Sequence, residues 1–332
     1  MKRRDFLRLV GGAAAFPIAA HAQQQKLPVV AFLHALSSSN IRMYLPAVSQ
    51  GLREAGFTEG RDFVFEARSA EGQYDRLPAL ITELIGRDAA VIIAAGGTEP
   101  AKLTKAATAS IPIVFVSAAD PVKAGLVESL NRPGGNITGV TALANAVGAK
   151  RLQLLREIVP QSAVSGLLVN PTNQNAEPDT KEMLAAADSL RQALVVAKAT
   201  TDAEIDAAFA MFKQKNAGGL VVNPDPFLLG RRERIAAQAQ RDRIATVFHT
   251  HEPVVAGGLM SYGASFPEAH REAGRYVAWV HEAEPDLRKR IAAIGRKNIG
   301  QPYILNLLGE FPFEVHDNLP LFSLDHSDCV VF

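Results

Sequence analysis

The chain has 332 residues with 48% hydrophobic content, enough for two cores at the usual domain size of roughly 150 residues. Lys and Arg number 35 against 34 Asp and Glu, so a net charge of +1 provides no long-range attraction to nucleic acid or a membrane surface. The single cysteine, Cys329, excludes an intramolecular disulfide and, without a histidine cluster beside it, gives no support for a metal site.

The first residues read as an export signal. Lys2, Arg3 and Arg4 precede Asp5, Phe6 and Leu7, and a Gly- and Ala-rich apolar run continues to Ala20. Ala20-His21-Ala22 has the small-x-small pattern of a cleavage site, and the run is too short to be a stable membrane span. The paired arginines followed by Phe-Leu point to the twin-arginine route into the periplasm. Residues 1–22 are therefore expected to be removed.

Strands and helices then alternate. Pro28–Leu33 reads as a strand, followed by a loop with Ser37 and Ser38; Met43–Ala55 has helical apolar spacing and stops at Gly56. Phe63–Ala67 is a second strand and Asp75–Ile85 a helix beside Tyr74. Ala89–Ala94 is a third strand, opening into Gly96, Gly97 and Thr98 before a helix over Ala101–Ala109. The β-branched run Ile111–Val116 predicts a central strand, then a polar loop with Ser117 and Asp120, a helix through Leu130, a tight turn at Asn131–Gly135 and an extended passage over Asn136–Thr141.

After that passage the pattern restarts. Helices are expected over Gly148–Val159, Asp179–Leu190, Asp202–Lys213 and Arg231–Arg241, with strands at Val164–Val169, Ala193–Ala197, Ala217–Val222, Ile244–Phe248 and Leu259–Tyr262. Phe266–His281 is largely helical. From Glu284 periodicity fades, and Tyr303–Leu308 fits either a strand or a buried turn of helix. Two successive α/β units with parallel sheets follow from this order.

In open α/β sheets ligands lie beyond the carboxyl ends of the strands. Those positions hold Ser37, Ser38, Gly96, Gly97, Thr98, Ser117 and Asp120 in the first unit, and Asn170, Asn175 and Asp225 in the second. Hydroxyls, amides and bare backbone N–H groups suit a small polar solute. Gly96-Gly97-Thr98 can offer N–H groups and a hydroxyl to a carboxylate at a helix start, or can be a tight turn with Thr98 as its cap. Asp120 can accept from a ligand ammonium or cap the helix expected at Pro121. Tyr44, Tyr74, Tyr262 and Phe227 fit core or cleft wall better than ring stacking. There is no dinucleotide or phosphate-loop glycine pattern, and His249 and His251 with Glu252 do not have the spacing of a helical metal site. Ser37 and Ser38 lie in no nucleophile elbow, so no catalytic set can be assigned and no cofactor is expected.

Several segments carry a family resemblance: Phe57–Asp62, Glu71–Pro78, Ile111–Val116 with Asp120-Pro121, Leu130–Gly139 (Leu-Asn-Arg-Pro-Gly-Gly-Asn-Ile-Thr-Gly), Leu168–Pro171 and Gly257–Gly263. They span about residues 27–283 and resemble the substrate-binding components of ABC uptake systems. The resemblance implies a type I periplasmic binding-protein fold, an α/β architecture of two Rossmann-like lobes with a hinge and a central cleft. The implied division is 27–137 for lobe 1, 138–261 for lobe 2, 262–283 returning to lobe 1, and a divergent tail over 284–332. Some relatives bind aromatic amino acids. By position Ser38, Gly97, Thr98 and Ser117 would then hold a ligand carboxylate, with Asp120, Asn170, Asn175 and Asp225 near an amine or ring. The implied partners are a small organic solute and the ABC permease membrane subunits, for a monomeric, non-catalytic receptor. A periplasmic module serving a membrane signalling protein, and a cleft hydrolase, are the alternatives.

Overall fold

Strand β1 (Val29–His34) is buried along its whole length. Val30 and Phe32 enter one apolar cluster, while Ala31 and Leu33 enter another on the opposite face. A strand apolar on both sides is the sequence form of a parallel sheet covered by helices on both faces. In the computed structural model, which describes residues 27–282 and 304–306, two such sheets are present. The export segment 1–22, most of the tail from Glu284 and Cys329 lie outside the described residues.

The first unit runs β1, α1 (Leu45–Glu54), β2 (Val64–Ser69), α2 (Leu77–Gly86), β3 (Ala89–Ala95), α3 (Thr98–Ala107), β4 (Ile113–Ser117) and β5 (Ile137–Thr141). The second runs α4 (Gly148–Ile158), β6 (Val164–Val169), α5 (Ala176–Ser189), β7 (Ala193–Lys198), α6 (Asp202–Gln214), β8 (Gly219–Val222), α7 (Arg232–Asp242), β9 (Ala245–Phe248) and β10 (Met260–Ser261). Helix α8 (Phe266–Glu282) and strand β11 (Ile304–Asn306) complete the described chain. The sheet orders are β11-β5-β4-β3-β1-β2 and β10-β9-β8-β6-β7, with parallel pairing throughout. This is the expected two-sheet α/β architecture.

Helix α8 returns to the first sheet. Ala269, Ala273, Tyr276 and Val277 join the cluster that contains Val30, Phe32 and Val48. Its contact with α1 is backbone to backbone: a Cβ on Gly51 would lie 1.8 Å from the Arg271 carbonyl oxygen, and one on Gly274 would lie 2.3 Å from that of Val48. Only glycine permits so close an approach.

Three expectations change at the level of elements. Residues 121–130 form turns, not a helix. The Asp120 carboxylate accepts from Val122 N and Lys123 N at 2.9 and 3.2 Å, but Gly125 follows at φ 72°, in the left-handed region that ends a helical turn. Strand β5, which the expected 137/138 boundary divides, runs entirely within the first sheet, paired with β4 from Ile113↔Ile137 to Ser117↔Thr141. The chain leaves that sheet after Thr141. Of the two readings of Tyr303–Leu308, a strand forms: Ile304–Asn306 pairs in parallel with Gly139–Thr141 of β5.

Candidate functional site

Strand order fixes where a ligand can lie. In the first sheet β2 and β3 flank β1 on opposite sides, and in the second β7 and β8 flank β6. Each reversal opens a crevice at the carboxyl ends of the strands. The first crevice is bordered by the loops after His34 and Ala95, the second by those after Val169 and Val222. An apolar pocket lined by Pro28, Leu52, Phe57, Phe63 and Val91 sits at the other end of the first sheet, by the strand starts, and is remote from these polar loops.

On the first rim, Gly96 and Gly97 have φ of 82° and 111°, values that side chains rarely adopt, and Gly97 is the cap of α3. A Cβ on Gly96 would lie 2.5 Å from His34 Nδ1. Thr98 is therefore the first helical residue rather than the cap. Its side chain is buried, with Oγ1 3.5 Å from Ser117 Oγ. Hydroxyls and the unsatisfied N–H groups of a helix start form an uncharged donor surface suited to an anion.

The second rim is built from amides and carboxylates. Asp225 is buried and caps the turn Pro226–Gly230 by accepting from Leu228 N at 2.9 Å. It also accepts from Asn173 Nδ2 at 3.0 Å and from Asn170 Nδ2 at 3.2 Å. Asn170 Oδ1 in turn accepts from Thr172 N at 3.0 Å, which locks the loop after β6. Burial pushes the Asp225 carboxyl up, and these hydrogen bonds act against that shift.

The two rims touch. Asn175 Nδ2 donates to Thr98 Oγ1 at 3.1 Å, and Tyr74 O–H donates to Asp225 Oδ2 at 3.3 Å. Arg232 donates to Asn40 Oδ1 at 2.5 Å, Lys102 to Gln174 Oε1 at 3.0 Å, and Tyr44 O–H to Glu252 Oε1 at 3.4 Å. The lobes are thus held together around Gly97, Thr98, Ser117 and Asn175.

The other sequence candidates lie elsewhere or are occupied. Ser37 accepts from Asn40 Nδ2 at 2.8 Å, and Ser38 is exposed and donates through N and Oγ to Glu71. Asp120 is occupied as a turn cap, the structural one of its two readings. Asp225 has donors on both oxygens. Tyr44 is core: it stacks on His270 with ring centres 4.2 Å apart, and His34 stacks on its other side at 5.6 Å. Phe227 is also buried, beneath the Arg231 guanidinium.

Sequence reasoning passed over Asp179. It accepts from Asn145 Nδ2 at 2.6 Å and Asn223 Nδ2 at 2.9 Å. It lies inside a helix rather than in a strand-end loop, yet it is one turn after Asn175, and that i, i+4 spacing places both on one face. Nearby Arg151 is fully buried, donates to the carbonyls of Ala144 and Tyr262 at 2.8 and 3.3 Å, and is pushed down by burial to about 10. Among the described residues no group of three or more His, Cys, Asp and Glu is placed to hold a metal ion.

Comparison with known proteins agrees with this architecture. A tyrosine-binding protein of Clostridioides difficile (strain R20291) is 23% identical over 235 residues, covering 71% of this chain and 67% of that protein. A conserved domain protein from Vibrio cholerae superposes with a TM-score of 0.72 at 24% identity, covering 79% of this chain and 87% of that one. An ABC domain from Streptococcus pneumoniae, solved in complex with L-Trp, superposes with a TM-score of 0.69 at 18% identity over 82% of this chain and 95% of that one. At these identities the structural matches establish the shared fold, the bilobal type I binding-protein architecture. The model of one family, described as ABC transporter substrate binding protein, matches residues 20–286. That match spans both sheets and α8, and by it the chain belongs to the ABC transporter substrate-binding protein family.

Proposed function

We propose that the protein is the periplasmic receptor of an ABC uptake system and traps a small carboxylate-bearing solute, an aromatic amino acid or a close relative, between its two lobes. The observation that carries the carboxylate is the junction of Gly97, Thr98 and Ser117 with Asn175. Thr98 and Ser117 hydroxyls sit 3.5 Å apart at the start of α3, where the helix dipole favours an anion, and Asn175 reaches them from the other lobe. Bound solute would bridge the lobes and favour the closed arrangement, which docks on the permease subunits. The aromatic part is supported by the relatives that bind tyrosine and L-Trp. The family is characteristically non-catalytic, and no nucleophile with a base and acid can be assigned in the sequence.

A thermal-shift screen of the processed protein tests this reading. Aromatic amino acids or aromatic carboxylates should raise the melting midpoint, and sugars and purines should not. Stabilisation by a neutral sugar alone would overturn it. The export route is a separate proposal resting on Arg3 and Arg4. Changing both to Lys should block export, and undiminished export would reject the twin-arginine assignment.

A further inference from the structure

The Asp179 cluster has more acceptors than donors. Both amide donors, from Asn145 and Asn223, fall on Oδ2. Among the described residues Oδ1 has no hydrogen-bond partner. Asn145 has committed its NH2 to Asp179, and its own Oδ1 is buried without a partner. Buried acceptors are normally satisfied, so two open ones side by side mark the place of an absent donor. Arg151 does not fill it. Its NH1 is committed to the Ala144 and Tyr262 carbonyls, and Nε of this side chain, only 1% exposed, is unpartnered.

The location says what the donor belongs to. Asp179 is one helical turn after Asn175, which donates to Thr98 Oγ1. Asn145 N donates to the Ala118 carbonyl at 3.2 Å, one residue beyond Ser117. The open acceptors therefore adjoin the hydroxyl pair assigned to a carboxylate. An ammonium supplies three N–H donors and a positive charge. Burial pushes the Asp179 carboxyl up, Glu182 adds to this, and the two amides and Arg151 oppose it; an ammonium at Oδ1 would add to that opposition.

We propose that Asp179, oriented by Asn145 and Asn223, is the ammonium-binding group of the cleft, so that the solute is a zwitterionic α-amino acid rather than a simple carboxylic acid. This rests on Thr98 and Ser117 holding the carboxylate. Two charged groups on one carbon match two adjacent subsites, whereas an amine at the far end of a side chain does not.

The test is isothermal titration of the processed protein with L-tyrosine, L-tryptophan, L-phenylalanine and L-leucine, each beside its des-amino acid. The wild type should bind at least one amino acid about tenfold or more tighter than the des-amino form, the scale of a charge-assisted contact. Asp179→Asn should erase that preference while leaving des-amino affinity and the ligand-free melting midpoint unchanged. Asn145→Ala, which removes the second acceptor without touching the charge, should reduce the preference in part. Equal wild-type affinity for the two forms, or a preference that survives Asp179→Asn, overturns the proposal. Binding of the des-amino acids alone overturns it and leaves the carboxylate-solute reading standing. Binding of neither set removes both.

Discussion

The first rim of the cleft offers Gly96, Gly97, Thr98 and Ser117, which carry no charge and present hydroxyls and backbone N–H groups. The second offers Asn145, Asn170, Asn173, Asn223, Asp179 and Asp225, in which amides serve carboxylates. The difference extends below the surface. Behind the first rim lie His34, Tyr44 and His270 in one stack, with burial holding His270 down to about 4 and His34 well below its usual range. Behind the second lie Asp179 and Asp225, whose carboxyls burial pushes up. One half of the cleft is thus arranged to donate and the other to accept. A molecule that is anionic at one end and cationic beside it satisfies both, which a neutral solute cannot do.

The largest break in this contrast should come from Asp225→Ala. It leaves Leu228 N, Asn170, Asn173 and Tyr74 without their common acceptor. Urea denaturation should show a loss of about 3–5 kcal/mol, the range for stranding buried partners. A loss below about 1 kcal/mol would mean that the loops after β6 and β8 hold without it.

Acidification should act on the two rims in opposite directions. For His270 the folded value of about 4 lies below the unfolded value of roughly 6.5, so the unfolded chain binds more protons in between. Its contribution is full above the unfolded value and is lost as pH falls toward 4, amounting to about 2 kcal/mol by pH 5. His34, lowered by burial and by His270, adds in the same sense. Asp179 and Asp225, raised by burial, work the other way, since the folded state takes up protons first. Denaturation of wild type and His270→Gln at pH 7 and pH 5 separates the two. The variant should lose about 2 kcal/mol less than the wild type on acidification. Identical losses would show that the buried imidazole does not titrate as its surroundings require.

The smallest effect concerns the residue that sequence left between two roles. Asp120 serves Val122 N and Lys123 N. Asp120→Ala should lower stability by about 1 kcal/mol, the usual worth of such a cap, and leave ligand affinity unchanged. A drop in affinity with normal stability would return Asp120 to the site.

Much of the scaffold was legible because its strands are runs of β-branched residues bounded by turn formers. Val164–Val169 forms as read, and Ile111–Val116 shifts by only one or two residues to Ile113–Ser117. The donor rim was legible for a related reason: Gly96, Gly97, Thr98 and Ser117 directly follow or end strands. The acceptor rim was harder. Asp179 sits within α5, where an acidic residue in the first turn already has a helical explanation. Its partners Asn145 and Asn223 are 34 and 44 residues away, separations that no local pattern reveals. The Tyr44–His270 stack joins the two ends of the described chain for the same reason. The helix expected over 121–130 failed on a single local point, the left-handed Gly125.

The central claim is that the first rim receives the anionic end of the solute, and Thr98 is where it can be tested most directly. Titrating Thr98→Ala with whichever ligand most stabilises the wild type measures that contact alone. The account predicts an affinity loss of about tenfold, the worth of a hydrogen bond to a charged group, with the ligand-free melting midpoint little changed. An affinity equal to that of the wild type would contradict it.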